Sequence, residues 1–306
     1  MAIKDYEVKQ LKAFFDEVDA NGVSNAEKIG GFDENNPKEA SGIIYDENDK
    51  LIGVGIHIFN EDVYPIQSSK AFYRGLGLTG SINTDNFEDC VFMELYRNDL
   101  TEVSLKNMPA LRILGYRGCK NLHHIDTSEC PALQGLDAGI CGCDSFDMSK
   151  NPELVEFYCD ENRNITSVDI SKNQKLKYFY CHKNNISEFD GMNNPLLRHV
   201  DTTDNPMTHL KCWAPRPDHE DERGADEYIE LTAAEGGYVG VLFKPIYNEK
   251  WKETGEWQQK FVAKAKDGYE FEAWIDDITK EVVSTDSTMD VEIGTAARMT
   301  ATFKAV

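Results

Sequence analysis

One pattern, written six times between Cys90 and Leu210, constrains the fold of this chain more than any other feature of the sequence. Each copy is 21 or 22 residues long, with apolar residues at offsets 0, +3 and +5 and a polar or Cys residue at +8. Offsets +3 and +5 differ by two, so their side chains share one face of a short strand. A single copy cannot bury that face, whereas stacked copies bury it against their neighbours. The pattern therefore predicts a solenoid whose turns start at Cys90, Leu111, Leu133, Leu154, Leu176 and Leu197.

The chain must bend at offset +8, where an Asn amide can bond the backbone of adjacent turns. The turns carry Asn98, Cys119, Cys141, Asn162, Asn184 and Asn205 at that place. This spacing resembles the leucine-rich repeat, whose period is roughly 20–29 residues and whose turn position takes Asn or Cys. The strand Phe157-Tyr158-Cys159 and the return over residues 168–173 resemble a variant found in surface proteins of gut and commensal bacteria.

The segment before the repeats, residues 1–86, is expected to cap the open end of the solenoid. Apolar residues at helical spacing predict a helix over residues 5–20, and a second short helix is expected from Asn25. Alternating apolar residues on both sides of Asp46–Asp49 predict a β-hairpin over residues 43–59. An irregular first turn is expected over residues 76–82, after the aromatic segment 71–73. Helix followed by hairpin resembles the N-terminal caps of other leucine-rich-repeat proteins. The helical face comprises Val8, Leu11, Phe14, Phe15 and Val18.

The regular repeats occupy residues 87–213, and Trp213 is expected to close their end. Residues 214–226 are charged, contain Pro and lack periodicity, which predicts a linker. Alternating segments then predict a small all-β domain over residues 227–306, with a hairpin turn at Asp267-Gly268 and last strands near 291–293 and 299–303. Its expected aromatic core comprises Tyr269, Phe271, Trp274 and Phe303.

Residues 265–274 and 300–303 resemble the B-repeat of internalin-type surface proteins, which is also called the Listeria–Bacteroides repeat. The fold class expected for the whole chain is therefore α+β with repeats. It comprises a leucine-rich-repeat solenoid, a helix-and-hairpin cap and a small all-β domain. The resemblance implies a bacterial protein that is extracellular or at the cell surface.

The charge balance and the sequence of the termini bear on partners and compartment. A net charge of −22 argues against nucleic acid or an anionic membrane as the partner, since both would be repelled. No apolar run approaches the roughly 20 residues of a membrane-spanning helix. The residues after Met1 lack the apolar core of a signal peptide, so the chain is expected to be cytosolic or to have lost a leader. The B-repeat resemblance favours the second, although no wall-sorting motif is present.

The sequence contains none of the motifs that would predict an enzyme. It lacks a phosphate-binding Gly loop, a His-Glu-x-x-His run and a Gly-x-Ser-x-Gly elbow. The adjacent His123 and His124 are interpreted as a solvated pair. The eight Cys are interpreted as buried free thiols, and Cys141-Gly-Cys143 lacks the usual zinc spacing and a second pair. We therefore expect no catalytic residues, no metal and no cofactor.

Binding is better supported, because offsets +1, +2, +4 and +6 of each strand should point outward and pave one face of the solenoid. Tyr158 and Tyr180 share offset +4 and should stack about 4.8 Å apart. Tyr and Arg are typical of binding hot spots, although aromatic residues also simply suit strands. The predicted binding patch comprises Tyr158, Tyr178, Tyr180, His182, His199, Tyr96 and Arg117.

The sequence thus predicts a non-enzymatic, adhesin-like scaffold that binds a protein through this face. One alternative is carbohydrate or cell-wall binding by the C-terminal β domain, which would need exposed platforms at Trp251, Trp257 or Trp274. The other alternative is a purely structural spacer.

Overall fold

The computed structural model describes residues 3–55, 75–214, 227–247, 253–292 and 294–306. The chain divides into two compact units, Met1–Asn162 and Arg163–Val306. Several expectations fall outside the described residues, namely the hairpin arm beyond residue 55, the segment 71–73, the linker over 215–226, Trp251 and Ile293. Among the described residues, no helix has the length and apolar character needed to cross a membrane.

The described residues of the first unit form two short α-helices, one 3-10 turn and a mainly parallel sheet. The sheet order is β1-β2-β4-β6-β7-β8, in which only the β1–β2 pair is antiparallel, and β3 pairs separately with β5. The elements are α1 Asp5–Asp16, α2 Asn25–Ile29, the 3-10 turn Pro37–Glu39, β1 Ile43–Tyr45, β2 Leu51–Gly55, β3 Thr79–Asn83, β4 Phe92–Glu94, β5 Asp99–Ser104, β6 Ile113–Gly115, β7 Gly135–Asp137 and β8 Glu156–Tyr158.

The N-terminal helix forms where its apolar spacing predicts it but ends earlier than expected. Leu11, Phe14 and Phe15 are buried, whereas Val18 lies beyond the helix and is exposed. The chain turns after Asp16 because Val18 pairs with Ser24 in a short bridge. Ser24 then caps α2 through a reciprocal pair of hydrogen bonds with Glu27. The two helices and the hairpin are present, and their role as a cap stays a prediction.

The interior of the repeats is as the sequence predicts. The central residue of each short strand points inward, together with the residues at offsets 0 and +5. The strand pairing is parallel and in matched register, for example Leu114 with Leu136 in the first unit and Phe179 with Val200 in the second. Each repeat is therefore a turn of a β-solenoid. The buried strand centres are Met93, Leu114, Leu136, Phe157, Phe179 and Val200.

The residues at offset +8 form a polar ladder, as predicted. Asn162 Nδ2 donates to the carbonyls of Cys159 in its own turn (2.9 Å) and Ala138 in the preceding turn (3.0 Å). Its Oδ1 accepts three backbone N–H groups from residues 141–143. One amide thus satisfies five backbone groups that are buried at the bend.

Cysteine at offset +8 replaces only part of the hydrogen bonding that an asparagine amide makes with the backbone. The thiol of Cys119 lies 3.1 Å from the Leu95 carbonyl, and that of Cys141 lies 3.0 Å from the Tyr116 carbonyl. Burial raises the pKa of Cys119 to about 12, so the thiol keeps the proton that it donates. All eight Cys are buried, and none is joined in a disulfide.

A second asparagine ladder, which the sequence analysis missed, lies three residues before the start of a turn. Asn151 Nδ2 donates to the carbonyls of Thr127 (3.0 Å) and Cys130 (2.9 Å) in the preceding turn. Asn194 does the same in the second unit with Ile170 and Asn173, at 2.9 and 2.8 Å. The signal was present as Asn at the same offset in three successive turns, Asn151, Asn173 and Asn194.

The second unit has two groups of paired strands. One runs β9-β11-β14-β15-β18, and the other runs β10-β12-β13-β19-β16-β17. The strands are β9 Tyr178–Tyr180, β10 Glu188–Gly191, β11 His199–Asp201, β12 His209–Trp213, β13 Tyr228–Ala233, β14 Gly237–Tyr247, β15 Glu253–Ala265, β16 Tyr269–Asp276, β17 Val282–Ser284, β18 Thr288–Asp290 and β19 Ala297–Ala305.

The expectation of a separate all-β domain over residues 227–306 is not confirmed. The last repeat strand β11 pairs with β14 through Val200 and Phe243, and β12 pairs with β13 through Leu210 and Leu231. Trp213 pairs with Tyr228 within that sheet, and its indole N–H donates to the Met192 carbonyl at 2.8 Å, so closure of the repeats by Trp213 stays a prediction. The C-terminal strands thus continue the sheets of the last repeats.

The predicted hairpin at Asp267-Gly268 is also wrong. The turn is present, but β15 pairs with β14 and β18, whereas β16 pairs with β17 and β19. The two strands belong to different sheets, and Phe261 and Trp274 pack between them with ring centroids 6.3 Å apart. Alternating aromatic residues suit a hairpin and two facing sheets equally well, so the pattern alone could not separate them. Of the expected aromatic core, Trp274 is fully buried and Tyr269, Phe271 and Phe303 are half-buried.

The ladder predicts a large stability loss from a single amide. We expect Asn162→Ala to lower the free energy of unfolding by about 3 kcal/mol, because several buried backbone groups lose their partner. Urea denaturation followed by circular dichroism measures the change. Asn185→Ala, at an exposed position in the next turn, should stay within about 0.5 kcal/mol of the parent. Equal effects of the two substitutions would contradict the role given to the ladder.

Candidate functional site

The candidate site is the outward face of the repeat strands, formed by the residues at offsets +1, +2, +4 and +6. In the first unit much of this face is not available to a partner. Phe92, Glu94, Tyr96, Glu156 and Asp160 are all buried. Part of the reason is local packing, because Ile44 and Tyr158 pack against the buried pair Phe92 and Ile113.

An ion-pair network occupies the middle of the face in the first unit. Arg117 Nε lies 2.9 Å from Asp137 Oδ1, and its two terminal nitrogens lie 2.8 and 2.6 Å from the oxygens of Asp160. One guanidinium therefore bridges carboxylates from the two following turns. Both carboxylates are buried, so the ion pairs with Arg117 offset part of the cost of burying their charge.

Two glycines make room for this arrangement. A Cβ on Gly115 would lie 2.4 Å from the Tyr96 hydroxyl, and a Cβ on Gly139 would lie 2.6 Å from the Arg117 guanidinium. The Tyr96 hydroxyl donates to Glu94 Oε1 at 3.0 Å. A long side chain of one turn thus lies over a glycine of the next turn. This packing fills the outward face at these positions.

The electrostatics agree with a structural role. Burial alone would lower the pKa of Arg117, but the hydrogen bonds and charges of Asp160 and Asp137 outweigh burial and raise it. Burial raises the pKa of Asp137 to about 6, against the lowering effect of Arg117. Arg117 therefore stays charged, whereas Asp137 gains a proton on mild acidification.

In the second unit the face carries a row of rings. The rings of Tyr178 and His199 lie 4.1 Å apart between centroids, and Trp257 approaches His199 edge-on at 4.8 Å. Arg198 donates to the Tyr178 hydroxyl at 2.5 Å, and its guanidinium lies 5.1 Å from that ring. Burial and the charge of Arg198 lower the pKa of His199 to about 3, so this imidazole is neutral at physiological pH.

Tyr178, Tyr180 and His182 are half-buried and form the accessible part of the row. His182 Nδ1 lies 3.6 Å from Asp201 Oδ2, while Asp201 Oδ1 accepts from the Thr203 hydroxyl at 2.6 Å. The carboxylate of Asp201 on this face is thus engaged by Thr203 and His182. Half-exposed tyrosines on a rigid strand are suited to contact with another macromolecule.

The structure corrects two of the predicted patch residues. Tyr96 and His199 are each only 2% exposed. Tyr96 is covered because it lies against Gly115 and bonds Glu94, and His199 is covered because it lies between Tyr178 and Trp257. Tyr158 and Arg117 are half-buried in the first unit, and Tyr178, Tyr180 and His182 are half-buried in the second. The stacking of Tyr158 on Tyr180 stays a prediction.

The tryptophan platforms that carbohydrate binding would require are not exposed where the structure describes them. Trp274 is fully buried between the sheets, and Trp257 is half-buried against His199. The contact between Trp257 and His199 was not predicted from the sequence, because nothing in the linear pattern brings the two residues together. His123 and His124 are exposed, as expected.

No family model matches the sequence, and no curated protein matches it. A comparison with solved structures finds a similarity to the functional domain of InlJ from Listeria monocytogenes, an internalin described as including a cysteine ladder. The two chains are 14% identical, the match covers 75% of this chain and 48% of that chain, and the TM-score is 0.37. The chain therefore spans about half the length of the structure it matches. A likeness at this level does not identify a function.

Removal of the bridging guanidinium should be costly. We expect Arg117→Gln to lower the free energy of unfolding by about 3 kcal/mol, since the buried carboxylates of Asp137 and Asp160 would lose their ion pairs with Arg117. Thermal and urea denaturation measure the loss. Arg112→Gln is the matched control, because Arg112 is an exposed arginine in the same turn. A loss no larger than that of the control would show that the bridge contributes nothing.

Asp137 should make stability depend on pH. Its pKa in the folded chain is raised to about 6, so folding takes up a proton and stability increases as the pH falls through that value. Relative to Asp137→Asn, the parent should gain about 1 kcal/mol between about pH 7 and about pH 5. Urea denaturation of both proteins across this pH range measures the difference. Parallel pH profiles of parent and variant would contradict the expectation.

Proposed function

We propose that this chain is a non-enzymatic scaffold that binds another protein through the outward face of its repeat strands, and that it acts at the cell surface or outside the cell. The observation that carries the proposal is the half-exposed pair Tyr178 and Tyr180 on β9, next to Arg198. Tyr and Arg are the residue types that contribute most to binding energy in protein interfaces. The strand holds them in fixed positions, so little conformational entropy is lost when a partner binds.

Several outward-facing residues of the first unit are less exposed than the tyrosines of the second unit. In the first unit the face is filled by the Arg117 network and by buried rings, which keep the strands in register. Binding therefore concentrates on the half-exposed tyrosines of the second unit, Tyr178 and Tyr180. The spacer alternative does not explain why aromatic side chains are held half-exposed at Tyr178 and Tyr180.

A photo-cross-linking experiment tests the proposal. A benzophenone amino acid at position 180 should cross-link the full chain to a specific secreted or cell-surface protein, because that side chain would lie inside the interface. The same group at the exposed position of Lys172 should not capture that protein. Identical capture from both positions, or from neither, would contradict binding through this face.

Affinity measurements with the captured protein complete the test. Tyr178→Ala combined with Tyr180→Ala should weaken its binding by about 2 kcal/mol or more, the threshold for hot-spot residues. Tyr6→Ala removes an exposed tyrosine from α1 and serves as the matched control. Unchanged affinity of the double variant would favour the spacer alternative.

A further inference from the structure

Three cations of the second unit are adjacent to residues of the ring row, either in sequence or across a strand pair. Lys177 and Arg198 occupy offset +1 of adjacent turns, and the backbone N–H of Arg198 donates to the Lys177 carbonyl at 3.0 Å. Lys244 follows Phe243, which pairs with Val200 and points inward with it. Because successive strand residues alternate between faces, Lys244 belongs to the same outward face as His199 and Asp201. We call Lys177, Arg198 and Lys244, together with Tyr178, the basic patch.

The basic patch is unusual in a chain with 54 acidic and 32 basic residues. Several other lysines of the second unit have carboxylate partners, such as Lys260 with Asp290 and Lys264 with Asp204, both at 3.3 Å. Within the part of the chain that the structure describes, no carboxylate lies within 4.0 Å of the charged groups of Lys177, Arg198 or Lys244. All three side chains are nevertheless half-buried. Their charge is therefore partly desolvated and not balanced.

The hydrogen bonds of Arg198 also indicate that part of its donor capacity is unused. One terminal nitrogen donates to the Tyr178 hydroxyl, but Nε is buried and has no hydrogen-bond partner. Asp201, the nearest acid along the strand, is engaged by Thr203 and His182. A buried donor without an acceptor is costly, and a carboxylate supplied by a partner would satisfy it.

We infer that the basic patch is the recognition site for an acidic polypeptide segment. The inference rests on the proposed function and names the partner class for the same face. Carboxylates of the segment would pair with Lys177, Arg198 and Lys244, and Tyr178 would contribute apolar contact. The net charge of −22 repels an acidic partner at long range, but that repulsion is screened beyond about 8 Å at physiological ionic strength. At contact distance the three unbalanced cations dominate.

The ring contacts favour a polypeptide over an acidic glycan. The Tyr178 ring already contacts the His199 ring and the Arg198 guanidinium, so it offers little face on which a sugar could stack. Trp257 is half-buried, and its ring is in T-shaped contact with His199 at 4.8 Å. A side chain or a peptide backbone needs no free ring face, and Tyr with Arg is the composition of protein interfaces.

Binding of two defined probes to the full chain tests the inference. A fluorescent Glu-rich peptide is expected to bind the parent, and Lys177→Gln combined with Lys244→Gln is expected to weaken its Kd at least about tenfold. Lys172→Gln, an exposed lysine on the return side of a neighbouring turn, should leave the Kd unchanged. The charge-preserving variant with Lys177→Arg and Lys244→Arg should retain binding, which excludes misfolding as the cause of the loss.

Other outcomes overturn the inference. No binding of the Glu-rich peptide, or equal losses in the patch variant and in the Lys172 control, would remove the basic patch as its site. Binding of a heparin-derived oligosaccharide in place of the peptide, lost in the same patch variant, would assign the patch to an acidic glycan. A partner cross-linked at position 180 whose affinity ignores Lys177 and Lys244 would leave the proposed function standing while this inference fails.

Discussion

Satisfaction of the backbone at each bend is the constraint on which the repeats depend. A turn of 21 or 22 residues must reverse direction with its carbonyls and N–H groups buried between neighbouring turns. Asn162 answers this with five hydrogen bonds at one corner, and Asn151 and Asn194 perform a related function at another. Cysteine at Cys119 and Cys141 supplies only a thiol donor. The asparagine turns therefore fix the register within which the interior packs.

The ends of stacked parallel strands pose a second problem, since an edge strand presents unpaired N–H and carbonyl groups. In the second unit the chain solves this itself. β14 pairs antiparallel with β11, and β13 pairs antiparallel with β12, so both strands of the last repeat are covered. The same pairing carries β15 and Trp257 to the ring row at His199. The C-terminal strands thus protect the last repeat and complete the surface beside it.

Structural features that depend on the repeat period could be predicted from the sequence. Features that depend on neighbours in space could not. Strand centres such as Phe157 and Val200, and the amide at Asn162, follow from spacing that every copy repeats. The burial of Tyr96 and His199 does not, because it depends on Gly115 in the next turn and on Trp257, which lies 58 residues beyond His199. The hairpin prediction at Asp267-Gly268 was wrong for a related reason. Alternation of apolar and polar residues indicates that a strand forms, but not which sheet the strand joins.

The net charge of the chain likewise does not determine the charge environment of a particular residue. A net charge of −22 describes the whole chain and disfavours a strongly anionic surface as its general partner. Residues at contact distance, however, respond to the few charges beside them. Arg117 is bridged by two buried acids and is used to hold the strands together, whereas Arg198 has a tyrosine hydroxyl and a buried Nε without a partner. Two arginines on the outward face thus have opposite states, and only the second has binding capacity left for another molecule.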